Sequence, residues 1–394
     1  MRSPTPRTRR RALLGAAVAA ALAAGTATLT PPDPAPAALA AAESSSACGD
    51  GAADTEVTRS GSTYTARAGG TTLYQGGDML AAMRAAVGGL DPDRTSRERV
   101  VVRASGSMPA DASLDLPSHT SLEVCGTIDV TGTPTANNAA IRIRHARDVA
   151  VPHLSLTGRP YFGVWVRTST DVHFGQVDLR LSGGLGMRID SRDDDTVRGA
   201  RDIRIDDVYV SGTDNHGVET YGVDGLTIGT VTARDTGYSG LLLNDTANAS
   251  IGLVDAVDAG TGTGYAAFRT ANRNGRIGDG YPVNIRVGEV RARGGGRGIF
   301  CVSESGGLVV ERVDVSGTGG NAVLVENCHN VTLAGGTIAG PGDIRIAARS
   351  EFANTSGVTL SGLRLVDTVL NENPCAVGTV VRDITWVNSR DNSC

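Results

Sequence analysis

Gly163-Val-Trp-Val, Gly186-Met-Arg-Ile, Gly217-Val-Glu-Thr and Gly240-Leu-Leu-Leu are copies of one short strand, and they begin 23, 31 and 23 residues apart. The series continues as Tyr265-Ala-Ala-Phe, Gly298-Ile-Phe-Cys, Ala322-Val-Leu-Val and Asp343-Ile-Arg-Ile. A period in the low twenties with short strands is typical of a solenoid, because one coil cannot bury its apolar face alone. Stacked coils pair their strands in parallel. The sequence therefore predicts an all-β chain folded as a parallel β-helix.

An amphipathic helix is predicted just before the first coil. Residues 78–87 have apolar side chains at helical spacing, and Asp78 is well placed as the N-cap. Such a helix would cover the strand edge at the N-terminal end of the solenoid, which otherwise invites aggregation. We expect a polar lead-in over residues 43–69 and one β-helix domain over 70–394.

The capping helix, the coil pattern and the approach Leu116-Pro-Ser-His-Thr-Ser-Leu-Glu-Val-Cys-Gly-Thr-Ile together resemble the pectin-lyase and polygalacturonase superfamily. The resemblance covers most of residues 70–394 and implies a right-handed, single-stranded β-helix with polysaccharide chemistry. The Asn-Thr-Asp and Arg-Ile-Lys motifs of polygalacturonases are missing, so it implies no subfamily. Because this fold serves enzymes and adhesins alike, the function must be argued from the site.

The N-terminal segment predicts export. Arg9-Arg10-Arg11 precedes an apolar run over residues 12–24, and small residues follow before Ser44. This arrangement is typical of a signal peptide over residues 1–42, and the paired arginines favour the twin-arginine route. The run is shorter than the roughly 20 residues that a membrane span needs. We expect a secreted, extracellular protein.

The charge balance excludes some partners. Without residues 1–42 the chain has 32 basic and 41 acidic residues, a net charge of −9. Proteins that bind nucleic acid or anionic membranes are usually basic. We therefore expect neither partner, and we expect a monomer that binds a polysaccharide.

Six cysteines in an exported chain predict three disulfides. Chain order gives Cys48–Cys125, Cys301–Cys328 and Cys375–Cys394, and the middle pair lies about one coil apart. A structural metal site would need closely spaced cysteines or a histidine cluster. We expect no such site.

Alternate residues of a strand point to opposite faces, so aligning the copies on their glycine predicts which side chains point outward. The first outward row is Trp165, Arg188, Glu219, Leu242, Ala267, Phe300, Leu324 and Arg345. The second is Arg167, Asp190, Tyr221, Asn244, Arg269, Val302, Glu326 and Ala347. The residues before each glycine form a third row: Phe162, Leu185, His216, Ser239, Gly264, Arg297, Asn321 and Gly342.

These rows predict a polar groove walled by aromatic side chains, which suits sugar rings. We assign catalysis to His216, Arg269, Tyr238 and Glu219. Substrate binding is assigned to Arg188, Asp190, Asp214, Tyr221, Asn244, Trp165, Arg273 and Arg297; Arg273 lies in the long insertion over residues 270–281. A plain solvated face remains the alternative, since outward residues are commonly polar.

The leading hypothesis is a polysaccharide lyase acting on a uronate glycan by β-elimination. Arginine neutralises the uronate carboxylate. His216 or Tyr238 removes the C5 proton, and Tyr221 protonates the leaving oxygen. No cofactor is required, although residues 193–195, three aspartates, suit Ca²⁺.

Two alternatives remain open. Glu219 and Asp190 suit an inverting glycoside hydrolase, which needs two carboxylates about 6.5–9.5 Å apart. A non-catalytic glycan-binding solenoid is the third possibility.

Overall fold

The computed structural model describes residues 47–191, 197–262 and 264–394. The predicted export signal and the aspartates at 193–195 lie outside these residues. The described chain forms two sheets that share a parallel solenoid, together with one helix, α1 (Met79–Gly88). None of the described helical segments is long and apolar enough to cross a membrane.

Sheet A is the larger sheet, with 18 strands among the described residues. Its strands are β1 (Thr55–Ser60), β2 (Thr63–Ala68), β3 (Thr71–Gly76), β4 (Glu98–Val102), β5 (Gly106–Pro109), β7 (Thr120–Val124), β8 (Ile128–Thr131), β10 (Arg147–Gly158), β12 (Thr170–Leu181), β14 (Ala200–Ser211), β16 (Val223–Arg234), β18 (Ala247–Val257), β20 (Ile285–Arg293), β22 (Ser305–Ser316), β24 (Cys328–Ala339), β26 (Ser356–Val366), β28 (Val380–Arg382) and β29 (Thr385–Val387).

Sheet B has 12 strands among the described residues and contains the repeated strand found in the sequence. Its strands are β6 (Leu114–Asp115), β9 (Ala139–Arg144), β11 (Phe162–Arg167), β13 (Leu185–Asp190), β15 (Val218–Tyr221), β17 (Leu241–Asn244), β19 (Phe268–Ala271), β21 (Ile299–Cys301), β23 (Val323–Glu326), β25 (Ile344–Ala347), β27 (Val369–Asn373) and β30 (Arg390–Asn392).

Parallel pairing from coil to coil confirms the predicted β-helix. In sheet B, Val164 pairs with Met187, which pairs with Val218 and then with Leu241. All four side chains are fully buried in the interior of the coils. The alternation of the sequence therefore gave the correct inward face in these four coils.

The glycine that opens the repeated strand is required by close stacking. A Cβ atom added to Gly186 would lie 2.4 Å from the carbonyl oxygen of Gly217, and one on Gly217 would lie 2.7 Å from that of Gly240. Contacts under 3 Å are forbidden for a side-chain carbon. Successive coils approach so closely here that only a residue without a side chain fits.

The long strands of sheet A change their inward alternation part-way along. In β12 the buried side chains are Val172 and Phe174, then Val177 and Leu179, so the alternation slips by one residue between them. Gly175 lies at the slip, where a Cβ atom would be 2.3 Å from the carbonyl oxygen of Pro152. The slip keeps apolar side chains inward on both sides of Gly175, and each coil thus closes with few loop residues.

The N-terminal end is capped as predicted. The Asp78 carboxylate accepts a hydrogen bond from the Ala81 amide at 3.0 Å, and α1 buries an apolar face that includes Met79 and Met83. The helix contacts β2 and β3. The segment predicted as a polar lead-in contains β1 and β2, an antiparallel pair, and β1 also pairs with β4 in parallel.

The three predicted disulfides are confirmed. Cys48–Cys125, Cys301–Cys328 and Cys375–Cys394 are all bonded. Cys301 ends β21 of sheet B and Cys328 begins β24 of sheet A, so the middle bridge links the two sheets.

The register prediction was wrong at one coil. Leu242 pairs with Arg269 and Asn244 pairs with Ala271, so Arg269 belongs to the first outward row and not the second. The Gly240 amide bonds to the carbonyl oxygen of Ala266, and the third row therefore passes through Ala266 instead of Gly264. The turn before this strand is two residues longer than expected. Ala267, and not Tyr265, therefore occupies the place of the opening glycine, and the strand begins at Phe268.

Candidate active site

A cleft of about 460 Å³ opens on the outer face of sheet B. It brings together four of the predicted site residues at its centre, namely Arg188, His216, Glu219 and Tyr238. Asp214 lies at its rim, where its carboxylate is paired with Arg159 at 2.9 Å and accepts from the Gly184 amide at 2.8 Å. The remaining lining is Pro134, Pro160, Tyr161, Phe162, Gly184, Leu185 and Asn215.

His216 is buried and neutral. Its side chain lies just before β15, and its Nδ1 accepts a hydrogen bond from the Ser239 amide at 3.0 Å. The proton of the neutral ring is therefore on Nε2. Burial, together with the positive charges of Arg269 and Arg188, lowers the pKa of His216 to about 3. At neutral pH the ring is a hydrogen-bond donor through Nε2.

Tyr238 and Tyr265 form a stacked pair beside this histidine. Their ring centroids are 3.9 Å apart with an angle of 12° between the planes. His216 meets both rings edge-on, at 5.2 Å from Tyr238 and 5.6 Å from Tyr265. Burial, followed by the neighbouring Tyr238 hydroxyl, raises the pKa of Tyr265 above the ordinary phenol value. Tyr265 thus keeps its proton at neutral pH.

Sequence reasoning missed Tyr265 because it was taken as the first residue of a strand. The signal that could have found it is the spacing of the two tyrosines. Tyr238 stands two residues before the glycine of its strand, and Tyr265 stands two residues before Ala267, which occupies the equivalent place in the next coil.

Arg188 joins the two carboxylates of the cleft floor. Its Nε donates to Asp190 at 2.5 Å, and its Nη1 donates to Glu219 at 2.8 Å. Glu219 also lies 3.5 Å from the side-chain amide of Asn244. The carboxylate pair that the hydrolase alternative requires therefore has a guanidinium group between its members.

Asp190 is fully buried and cannot contact a substrate. Besides Arg188 it accepts hydrogen bonds from Arg167 at 2.5 and 3.0 Å and from the Trp165 indole at 3.2 Å. Burial alone would raise the pKa of Asp190, but the hydrogen bonds from Arg167 and Arg188 outweigh it and hold that pKa below the ordinary value. The predicted substrate-binding role of Asp190 was wrong, and its charge holds two arginines in place.

Trp165 was also misassigned. It points away from the coil interior, but it is only 2% exposed and packs in a separate apolar cluster with Ala139, Phe162 and Leu185. The guanidinium groups of Arg144 and Arg167 lie over its ring, at 5.3 and 4.5 Å from the centroid. These neighbours cover the indole and leave no face for a sugar.

Arg269 carries a buried positive charge without full pairing. Its Nε has no hydrogen-bond partner among the described residues. The guanidinium group lies 5.8 Å from the centroid of Tyr265 and 5.3 Å from that of Phe300. Burial lowers the pKa of Arg269 below its ordinary value, and the positive charge of Arg297 lowers it further. Tyr265 and Glu219 raise this pKa, but not enough to cancel the effect of burial. The lining of the cleft does not include Arg269, which lies next to Tyr265.

Four other predicted residues do not line the cleft. Tyr221 lies in the second row between Asp190 and Asn244, and Asn244 is buried. Arg297 donates to Asn321 at 3.0 Å and packs over Phe300 at 5.1 Å. Arg273 is exposed and lies 3.6 Å from Glu304. The predicted roles of Tyr221 as acid and Arg273 as substrate ligand have no support from this placement.

The described residues contain one group of three potential metal ligands, Cys48, Glu123 and His153. Cys48 is in a disulfide and offers no thiolate, and Glu123 is already bonded to Arg99. This group is therefore poorly suited to a metal ion.

No family model matches the sequence, and no curated protein matches it. Among solved structures, the chain is similar to the A-module of the mannuronan C-5 epimerase AlgE4 of Azotobacter vinelandii, with 12% identity and a TM-score of 0.43 over 79% of this chain and 92% of that one. It is similar to the catalytic domain of a GH87 α-1,3-glucanase in complex with nigerose, with 10% identity and a TM-score of 0.35 over 74% of this chain and 60% of that one.

A third similar structure is the receptor-binding tailspike of bacteriophage Det7, with 11% identity and a TM-score of 0.31 over 79% of this chain and 74% of that one. At such low identities and TM-scores, these similarities assign no substrate and no reaction to the chain.

Proposed function

We propose that the protein is a polysaccharide lyase that cleaves a uronate-containing glycan by β-elimination. One observation carries the proposal: the neutral His216 and Tyr238 line one cleft with Arg188, and the stacked Tyr265 and its neighbour Arg269 lie directly beside them. Elimination requires a group that neutralises the uronate carboxylate, a base for the C5 proton and an acid for the leaving oxygen. The cleft and the residues directly beside it offer a candidate for each requirement.

Arg269 is the candidate for the carboxylate. Its Nε is buried and lacks a partner among the described residues, and an uncompensated buried donor is costly. A uronate carboxylate would complete its hydrogen bonds and neutralise its charge. Pairing with a cation withdraws charge from the carboxylate, and the proton at C5 becomes more acidic. Arg188 is less available because Asp190 and Glu219 already hold it.

Tyr238 is the better of the two bases named from the sequence. The Nδ1 of His216 is occupied by the Ser239 amide, and Nε2 carries the proton, so His216 serves as a donor to the substrate. Tyr238 lines the cleft, lies against the His216 ring and stacks on Tyr265.

The hydrolase alternative has less support. An inverting hydrolase needs an open space for water between two carboxylates. Here Arg188 fills the space between Asp190 and Glu219, and Asp190 is fully buried. His216 and Tyr238 beside Arg188 support elimination instead.

Secretion belongs to the same proposal. Three disulfides are typical of proteins from oxidising compartments. An extracellular location would also give the enzyme access to polymeric glycans.

The test is incubation of the mature protein with uronate glycans and with the same glycans after their carboxyl groups are reduced. The lyase proposal expects ultraviolet absorbance from the unsaturated uronate only with the unreduced glycans. It also expects the Glu219→Gln variant to retain measurable elimination, since no second carboxylate activates water.

Cleavage of the reduced glycans without unsaturated product, together with an inactive Glu219→Gln variant, would establish a hydrolase instead. Binding to the glycans without any cleavage would establish a non-catalytic carbohydrate-binding protein.

A further inference from the structure

Two arginines share one aromatic ring just beyond the cleft. Arg269 of β19 and Arg297, which lies just before β21, place their guanidinium groups 5.3 and 5.1 Å from the centroid of Phe300. Burial lowers the pKa of both groups, and the positive charge of Arg297 lowers the pKa of Arg269 further. Like charges repel, so this pair is stable only with negative groups close to it.

The carboxylates that act on these arginines are engaged elsewhere. Glu219 accepts a hydrogen bond from Arg188 at 2.8 Å, and Glu326 lies 2.7 Å from Arg349. Neither of the two guanidinium groups over Phe300 has a carboxylate within 4.0 Å among the described residues. Burying charge without a close partner is costly. The two cations are therefore paired only in part by the protein's own side chains.

Arg297 is held in position through its Nε. This nitrogen donates to the side-chain oxygen of Asn321 at 3.0 Å, and the Asn321 amide donates to Asp343 at 2.6 Å. Asn371 donates to the other oxygen of Asp343 at 3.2 Å. The two Nη groups of Arg297 have no hydrogen-bond partner among the described residues. A guanidinium fixed in this way presents its fork to an incoming carboxylate.

A strip of contacting side chains joins these arginines to the cleft. Tyr238 lines the cleft and stacks on Tyr265 at 3.9 Å, and the guanidinium of Arg269 lies 5.8 Å from the Tyr265 centroid. Phe300 pairs with Arg269 in the next coil, and Arg297 packs on the same Phe300 ring. A polymer that leaves the cleft on this side therefore meets both arginines.

We propose that Arg297 binds the carboxylate of the sugar next to the reactive uronate, so that the substrate carries carboxylates on successive sugars; this inference rests on the proposed lyase function. Arg269 takes the carboxylate of the reactive uronate, which completes the hydrogen bonds of its unpartnered Nε. One carboxylate would leave the second cation without a counter-ion. A polyuronate supplies both anions, whereas a glycan that alternates uronates with neutral sugars supplies one.

The experiment measures binding before turnover. Polyglucuronate, polymannuronate, polygalacturonate and polyguluronate are tested, and the polymer that the wild type binds most tightly is used. Its partly carboxyl-reduced form, in which neutral sugars separate the uronates, is the comparison. We expect Arg297→Met to weaken binding of the intact polyuronate by roughly tenfold and to lose most of the preference for it over the reduced polymer.

Arg345→Met is the matched control. Arg345 is exposed and lies in the same outward row as Phe300, two coils farther on. We expect its preference for the intact polyuronate to stay within about twofold of wild type. Arg297→Lys keeps the charge but not the fork and should weaken binding by roughly threefold. Urea unfolding checks that each variant is folded, and Arg297→Lys carries the test if Arg297→Met does not fold.

Three binding results would overturn this site: an unchanged preference in both Arg297 variants, an equal loss in Arg345→Met, or no binding to any of the four polyuronates. Ultraviolet absorbance of the unsaturated uronate tests the lyase function separately on the same polymers. Product formation that does not depend on Arg297 would leave the lyase function standing without this site. The expected binding preference without any unsaturated product would overturn the lyase function and leave an acidic-glycan binding site.

Discussion

In the middle coils, the charged pairs on the outer faces of the two sheets differ in how far they are buried. On sheet A, Arg204 pairs with Asp206 at 2.7 Å and Arg293 pairs with Asp314 at 2.9 Å, and all four side chains are at least 36% exposed. On sheet B, the Arg188 side chain is 13% exposed and its partner Asp190 is fully buried. Both faces point away from the same apolar interior, so folding alone does not explain the difference.

The free energy of exposed and of buried charges indicates which outer face serves more than folding. Exposed ion pairs contribute about 0–1 kcal/mol, because water and salt screen them. Burying a charge costs several kcal/mol, and pairing seldom returns more than that. The middle coils of sheet A thus have an ordinary solvated surface, whereas the Arg99–Glu123 pair near the N-terminal end is largely buried. Sheet B buries several charged side chains in four neighbouring coils, although their burial costs free energy. Such a cluster of buried charges is typical of a preorganised site.

The largest expected effect concerns the buried cation of sheet B. Arg269→Met should lower kcat/KM on a uronate glycan by about 10³-fold, since the carboxylate loses its partner. Stability should be unchanged or higher, because an incompletely paired buried guanidinium is replaced by an apolar chain of similar length.

Arg204→Met on sheet A is the matched control, with activity and stability expected to match wild type within about 0.5 kcal/mol. Steady-state kinetics and urea unfolding measure both variants. Equal kinetic effects of the two substitutions would contradict the contrast between the sheets.

Arg188 should behave differently from Arg269, because it is the shared partner of two carboxylates. Arg188→Met leaves Asp190 and Glu219 without their common donor, and breaking a buried pair costs about 3–5 kcal/mol. Urea unfolding of this variant against Arg204→Met measures the difference. A loss under about 1 kcal/mol would mean that the buried network of sheet B is no stronger than a surface pair.

The sequence predicted the fold well and the site only in part. The repeated glycine and the alternating apolar residues encode stacking and the inward face, and both are local properties of each strand. The register failed at Arg269 because a turn two residues longer cannot be recognised from spacing alone. The burial of Trp165 and Asp190 depends on arginines from neighbouring coils, so no single strand shows it. Tyr265 was missed for the same reason, since its role comes from stacking on Tyr238.

The disulfide between the sheets gives a smaller effect. Replacing both Cys301 and Cys328 by serine should lower the free energy of unfolding by about 2–4 kcal/mol, because the bridge constrains the unfolded chain. The bridge joins β21 to β24, coils beyond the cleft, so kcat should stay close to wild type. Thermal unfolding and kinetics of the double variant measure the two quantities. A large fall in kcat with intact folding would show that the cleft depends on how the sheets are joined.

The smallest expected effect is a pH dependence from His216. Its pKa is about 3 in the folded protein and about 6.5 in the unfolded chain, so the unfolded state binds a proton first as the pH falls. The stability contributed by the neutral ring is complete above pH 6.5 and is lost as the pH falls towards 3. Between pH 7 and pH 5 the loss amounts to about 2 kcal/mol.

His216→Gln removes the titrating group and keeps a side-chain amide near Ser239. Other groups titrate equally in both proteins, so the difference in unfolding free energy between wild type and His216→Gln isolates the histidine. This difference should shift by about 2 kcal/mol in favour of the variant between pH 7 and pH 5. His173→Gln is the control on sheet A, where the ring is 32% exposed and lies 2.8 Å from Asp206. A pH-independent difference for His216→Gln, or an equal shift for His173→Gln, would show that the His216 ring is not held neutral by its burial, and the donor role assigned to it would fail.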